Sequence, residues 1–192
     1  MKTAETKLKI LDTAQELIQK LGVNAMSYAD ISTAVGIRKA SIHYYFPSKE
    51  DLLVSLLERY TPSFFRLVDS ILESSELAKT KLRRYCGLFE ATLSSGERDK
   101  ACLCGMLGAE VKTLNSTLAE QITHFFQENE IRLTKLLTQG KDEGVFGFSG
   151  DTEAMAKLII SLLEGELLIA RVHGDVTHFR LVVEQLFQLV KA

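Results

Sequence analysis

Tryptophan is absent from the 192 residues and proline occurs twice, at Pro47 and Pro62. Proline inside a helix removes a hydrogen bond and clashes with the preceding turn, so this scarcity leaves long stretches free to be helical. Alternating β-branched and aromatic runs are nearly missing, which argues against a sheet as the organising element. No apolar run approaches the roughly 18 residues needed to cross a bilayer; the densest, "LIISLL", is broken by Ser161. The opening "MKTAETKLKIL" has no apolar core of the kind a secretion signal needs, so a cytoplasmic protein without membrane contact is expected. Cysteine is scarce and odd in number (Cys86, Cys102, Cys104), and free thiols are expected. The Cys-x-Cys at Cys102 and Cys104 lacks a second ligand pair, and His43, His124, His173 and His178 show no metal spacing. No phosphate-binding glycine loop, nucleophile–base pattern or carboxylate pair occurs. Catalytic residues, metal and cofactor are therefore all expected to be absent.

What is present is a succession of helical patterns. Apolar residues at Leu8, Leu11, Ala14, Leu17, Ile18 and Leu21 follow a helical period, closed by Gly22. "SYAD" at 27–30 offers a serine cap with an acid three residues on, opening a helix that ends at Gly36. A third, two-turn helix reaches Tyr45 and stops at Pro47; "SKED" at 48–51 starts a fourth, expected to pass a kink at Pro62 and end near Leu72. Five more are expected over about 77–95, 102–113, 117–143, 152–171 and 176–191, with "TLAE" at 117–120 and "GDTE" at 150–153 as caps and a turn at "SSGERDK", 94–100. The fold class is all-α with about nine helices, and the second and third, joined at Gly36, have the spacing of a helix-turn-helix over about 27–46.

Net charge is −2, which excludes a globally basic surface. Residues 1–60 hold eight Lys/Arg against seven Asp/Glu, and the remainder fifteen against eighteen, so a local phosphate-binding face at the N-terminal end is allowed but not demanded. On the third helix, Ile42 and Phe46 share a face suited to packing on Ile31 and Val35. The other side presents Ile37, Ala40 and Tyr44 flanked by Ser41 and His43, with Arg38, Lys39, Tyr45 and Lys49 around it. Small residues permit close approach to a groove, and the rest carry donors for bases and phosphates. The helix starts at Ser27 and Ser48 add amides that attract anions. Any one of these residues suits a plain solvated surface; the set, at this spacing, points to double-stranded DNA.

The stretch "MSYADISTAVGIRKASIHYYFPSKEDLL" resembles the DNA-binding signature of the TetR family of transcriptional regulators, from about Thr6 to Tyr60. The resemblance implies a three-helix DNA-binding domain (4–64), joined through the long fourth helix to a helical ligand-binding and dimerisation domain (65–192). It implies a repressor that binds a palindromic operator as a homodimer and is released by an apolar small-molecule effector. Lys49 and Tyr45 would contact phosphates, Ser27 would cap and touch the DNA backbone, and Arg38, Ala40, Ser41, His43 and Tyr44 would face the groove. Lys2, Thr3 and Lys7 would reach a neighbouring groove or phosphates, unless they form only a solvated terminus. Arg38 stands where a small hydroxyl residue is common and Ala40 where glycine is, which implies a particular operator. The fourth helix, as the only covalent link, would carry ligand-driven movement.

In the eighth helix Lys157, Ser161, Glu164 and Arg171 form a polar stripe, while Glu166 lies on the apolar side, where it pairs across a dimer, lines a cavity or snorkels. The ninth carries a wide apolar stripe, and the resemblance implies a four-helix dimer interface built on Leu162, Glu166, Phe179, Val183, Leu186 and Phe187. Phe89, Met106, Phe125 and Phe126, with Glu166, are the candidate pocket residues. Two alternatives are a helical small-molecule-binding protein or enzyme with a vestigial helix-turn-helix, and a regulator switched by oxidation of Cys102 or Cys104.

Overall fold

The computed structural model describes residues 2–94 and 99–192, with side chains from residue 4 to 93 and from 99 onward; most of the turn expected at 94–100 lies outside them. Nine α-helices are described: α1 (Lys2–Leu21), α2 (Tyr28–Val35), α3 (Lys39–Tyr45), α4 (Lys49–Leu72), α5 (Ala78–Ser94), α6 (Leu103–Ala109), α7 (Ser116–Asp142), α8 (Thr152–His173) and α9 (Val176–Val190). A one-turn 3-10 helix, Val111–Thr113, follows α6, and an isolated antiparallel bridge joins Phe146 and Lys191.

Caps explain most boundaries. Ser27 and Asp30 form a reciprocal capping box, and Ser48 and Asp51 repeat the pattern, the Asp51 amide donating to the Ser48 hydroxyl at 3.1 Å and the Ser48 amide to the Asp51 carboxylate at 3.0 Å. Gly36 ends α2 at φ 73°, a left-handed conformation that lets the chain turn sharply into α3. Asp151 caps α8. For α7 the cap is Asn115, whose side-chain oxygen accepts from the Leu118 amide at 3.0 Å, so the helix begins one residue before "TLAE". The helix α4 continues through Pro62.

The chain forms two compact units. The first comprises residues up to Pro62 together with Leu103–His124, the second Ser63–Cys102 with Phe125–Ala192. The chain thus passes between units three times, and α4 is not the sole connection that sequence order suggested. Inside the first unit α6 packs on α1, and Glu110 just after α6 accepts from the Asn24 amide at 2.9 Å. Its core is Ile10, Leu11, Ala14, Ile18, Met26, Ile31, Ile42, Phe46, Leu52, Leu53, Leu56 and Leu57. Leu8 and Leu21, expected on the buried face of α1, are exposed, and Ile10 takes the inner position. In the second unit α5 packs on α8 and α9, which pack on each other.

Candidate functional site

The short helix α3 is held from beneath. Ile42 and Phe46 are fully buried, and Tyr28, exposed to only 7%, donates its hydroxyl to the carbonyls of Phe46 at 3.0 Å and Ser48 at 2.5 Å. Burial, with the charges of Asp51 and Glu50, pushes the Tyr28 hydroxyl up to about 12, so it remains a donor at any ordinary pH. Tyr28 thereby fixes the junction of α3 and α4. The sequence reading missed this role, although the tyrosine's place directly after a cap serine was a signal that it begins a buried face.

The outward residues are those the pattern selected. Arg38, Lys39, Ala40, His43 and Tyr44 are exposed, Tyr44 to 78%, while Ser41 and Tyr45 are half-buried. No side chain caps the start of α3. Tyr44 and Tyr45 meet edge to face with ring centres 5.2 Å apart. His43 lies 4.8 Å from the Tyr28 ring, with Nδ1 3.2 Å from the Pro47 carbonyl. A carbonyl only accepts, so Nδ1 carries the proton and Nε2 is left as an acceptor in the neutral ring.

Three expected phosphate contacts are engaged elsewhere. The Lys49 ammonium donates to the carbonyls of Val23 at 2.5 Å and Met26 at 2.7 Å, tying α4 to the loop between α1 and α2. Val23 and Met26 lie outside both helices, and the half-buried ammonium is a donor for their carbonyls. The Ser27 amide and hydroxyl both donate to Asp30, at 2.9 and 2.6 Å, so the capping box occupies the groups expected to touch DNA. Lys7 lies over the Phe46 ring, 5.6 Å from its centre. Lys2 and Thr3 lie outside the described side chains.

In the second unit, Phe89, Phe125 and Phe126 are brought together through Phe64: ring centres are 6.4 Å apart for Phe64 and Phe89, 5.2 Å for Phe64 and Phe125, and 5.4 Å for Phe125 and Phe126. Met106 belongs to the first unit, and Glu166 is committed to a contact with His178 Nδ1 at 2.5 Å. Glu164, expected on a polar stripe, has a buried carboxylate oxygen and lies close to Tyr85 of α5.

Most residues expected at a dimer interface are interior. Phe179, Val183, Leu186 and Phe187 are buried within the chain's own unit, since α5 covers that side of α9, and Glu166 is buried too. The exposed apolar residues of these helices are Leu158, Leu168, Ile169, Val172, Leu181 and Leu189. Half-buried Leu162 and Val182 line an open groove with His178, Leu181 and Leu189. The cysteines are free and buried, and burial pushes the Cys86 thiol up to about 12, which disfavours the reactive thiolate.

Two family models match the chain: one described as bacterial regulatory proteins, tetR family, over residues 10–56, and one described as tetracyclin repressor-like, C-terminal domain, over residues 78–186. The chain belongs to the TetR family. This TetR-family protein is 31% identical to a TetR-family transcriptional regulator from Agrobacterium tumefaciens, whose crystal structure superposes with a TM-score of 0.92 over 99% of this chain and 100% of that one. It is 36% identical to a TetR transcriptional regulator from Legionella pneumophila, with a TM-score of 0.84 over 95% and 96% of the two chains. It is 26% identical to the nucleoid occlusion factor SlmA of Aliivibrio fischeri, over 82% of this chain and 79% of that protein. The family consists of DNA-binding transcriptional regulators, and this member is one of them. Among the described residues, no helix is long and apolar enough to cross a membrane.

Proposed function

We propose that this regulator is a cytoplasmic repressor that works as a homodimer, holds a palindromic operator with one α3 from each copy, and releases it when a small molecule occupies the second unit. The observation that carries the reading is the outward face of α3, where Arg38, Lys39, Ala40, His43 and Tyr44 are exposed while Ile42 and Phe46 anchor the helix. Arg38 and Lys39 supply charge for phosphates or guanine edges, Ala40 permits close approach, and Tyr44 supplies a hydroxyl.

Dimerisation is supported by α8. Leu158, Leu162, Gly165, Ile169 and Val172 fall within about 40° of one line along the helix at 100° per residue. Ile169 is 48% and Val172 87% exposed, and a Cβ added at Gly165 would meet nothing within 4 Å. A small residue flanked by unburied aliphatic ones suits close packing against a second copy of the helix. Dimeric helix-turn-helix proteins read half-sites about 34–36 Å apart, one helical turn. The effector's apolar surface would be met by the ring cluster of Phe64, Phe89, Phe125 and Phe126, and its binding would favour a dimer whose recognition helices are wrongly spaced.

The test is a gel shift on DNA upstream of the protein's own coding region at several salt concentrations. Binding that weakens with salt, and weakens further in Tyr44→Ala, supports the reading; no binding at low salt ends it.

A further inference from the structure

Inside the second unit, away from the groove of α8 and α9, four polar side chains from separate elements meet. The Tyr85 hydroxyl on α5 donates to the Asn129 side-chain oxygen on α7 at 3.0 Å. The Cys102 thiol, just before α6, donates to the Glu164 carboxylate on α8. Burial, with Cys86 and Glu164 close by, pushes the Tyr85 hydroxyl well above its ordinary value. Tyr85 and Asn129 are fully buried.

This cluster leaves two atoms over. Among the described residues, Asn129 Nδ2 and Glu164 Oε1 are buried without a hydrogen-bond partner. One is a donor and the other an acceptor. Buried polar groups are nearly always paired, so two complementary orphans in one cluster mark a place built for something else to bind. The Phe89 ring, 5.5 Å from Tyr85, joins this polar end to the phenylalanine cluster.

We propose that Glu164 and Asn129 form the polar end of the effector site, and that the effector is an arylalkyl or alkyl amine with a hydrogen-bond acceptor near its ammonium group. The ammonium N–H donates to Glu164 Oε1, the adjacent acceptor receives Asn129 Nδ2, and the faces of Tyr85 and Phe89 favour the positive charge. The apolar body lies against the rings of Phe64, Phe89 and Phe125. An anion is disfavoured by the carboxylate, and a purely apolar molecule leaves both orphans unsatisfied. The effector proposed is amphipathic and cationic, where an apolar one was expected. The assignment rests on the effector reading above.

The probes are arylalkyl amino alcohols from 2-amino-1-phenylethanol to 2-amino-4-phenylbutan-1-ol, whose hydroxyl oxygen is the acceptor beside the ammonium, with 2-phenylethanol and phenylacetate as neutral and anionic counterparts. They are added to the full-length protein at pH 8, and binding is read by thermal melting and calorimetry. Expected is dose-dependent stabilisation by at least one amine and by neither counterpart, with affinity falling tenfold or more in Glu164→Gln. That variant preserves shape, and its fold is checked by circular dichroism and by operator binding without amine. No stabilisation by any amine, amines no better than the alcohol, or undiminished amine binding by Glu164→Gln each overturns the proposal; the last two leave a bridging water as the occupant of the orphans. An amine that binds without loosening the operator upholds the cationic site and overturns its effector role. Failure to bind operator even without amine counts against the regulatory reading alone.

Discussion

Replacing Lys49 by methionine separates two roles that one cation at the foot of a DNA-binding domain could play. The substitution keeps the unbranched stem and removes the ammonium, which donates to the Val23 and Met26 carbonyls at 2.5 and 2.7 Å. Hydrogen bonds to a charged group contribute about 1.5–3 kcal/mol each, but this group is only half-buried. Burial also pulls its pKa below the usual lysine value, partly opposed by the charges of Glu110 and Glu50, so desolvation offsets part of the gain. The net loss expected is about 2 kcal/mol, or about 4–8 °C in Tm for a chain of this size. Urea unfolding followed by circular dichroism measures the stability, and operator affinity from 50 to 300 mM salt measures the other role. Removing a phosphate contact lowers the slope of log affinity against log salt by about 0.9. Lys49→Met should lose stability and keep the slope, whereas Arg38→Ala should keep stability and lose about one unit of slope. A Lys49→Met protein of wild-type stability with a slope reduced by one would refute the reasoning.

Burial raises the Glu164 carboxyl to about 7 from an ordinary 4.5, so the folded state binds its proton more tightly than the unfolded state does. The resulting stabilisation is complete below about pH 4.5 and is lost as pH rises through 7, on the order of 3 kcal/mol; Glu164→Gln should flatten that part of the stability–pH curve, and an unchanged curve would contradict the burial. Gly22 sits at φ 91°, and a Cβ there would lie 2.8 Å from Glu110 Oε1. Gly22→Ala should therefore cost about 1–2 kcal/mol in urea unfolding, where a wild-type midpoint would refute the strain argument. Ile169→Glu should shift sedimentation equilibrium toward monomer and weaken operator binding, while a stable dimer would move the interface off α8. Tyr44→Ala should weaken operator binding by about 1–3 kcal/mol with little change in melting temperature, and equal affinity would remove Tyr44 from the interface.

The helix boundaries were legible because their causes are local. Ser27 with Asp30, Ser48 with Asp51, Gly36 and Asp151 each act within four residues, so spacing along the chain is enough to read them. The buried pair Ile42 and Phe46 followed from helical period alone, and the opposite face of α3 followed by subtraction. The fate of Lys49 was not legible, because a long cation is chemically fit for phosphate and for a nearby carbonyl alike. Only the approach of the α1–α2 loop decides for the carbonyls.

The same distinction divides the second unit. Period shows that α8 and α9 are apolar on more than one side, but which side meets α5 and which stays open depends on packing across about a hundred residues of sequence. Phe179 and Phe187 turned inward, and Ile169 and Val172 were left outside. Glu164 and Glu166, two residues apart on one helix, both have buried carboxylates, the first facing Cys102 and the second His178, although only Glu166 lay on the apolar side of the pattern. By itself the sequence determined the helices, the helix-turn-helix and the family, since these rest on caps, periods and a contiguous motif. Tertiary structure alone decided which polar groups are occupied and which buried ones have no partner, because those are set by neighbours distant in the chain.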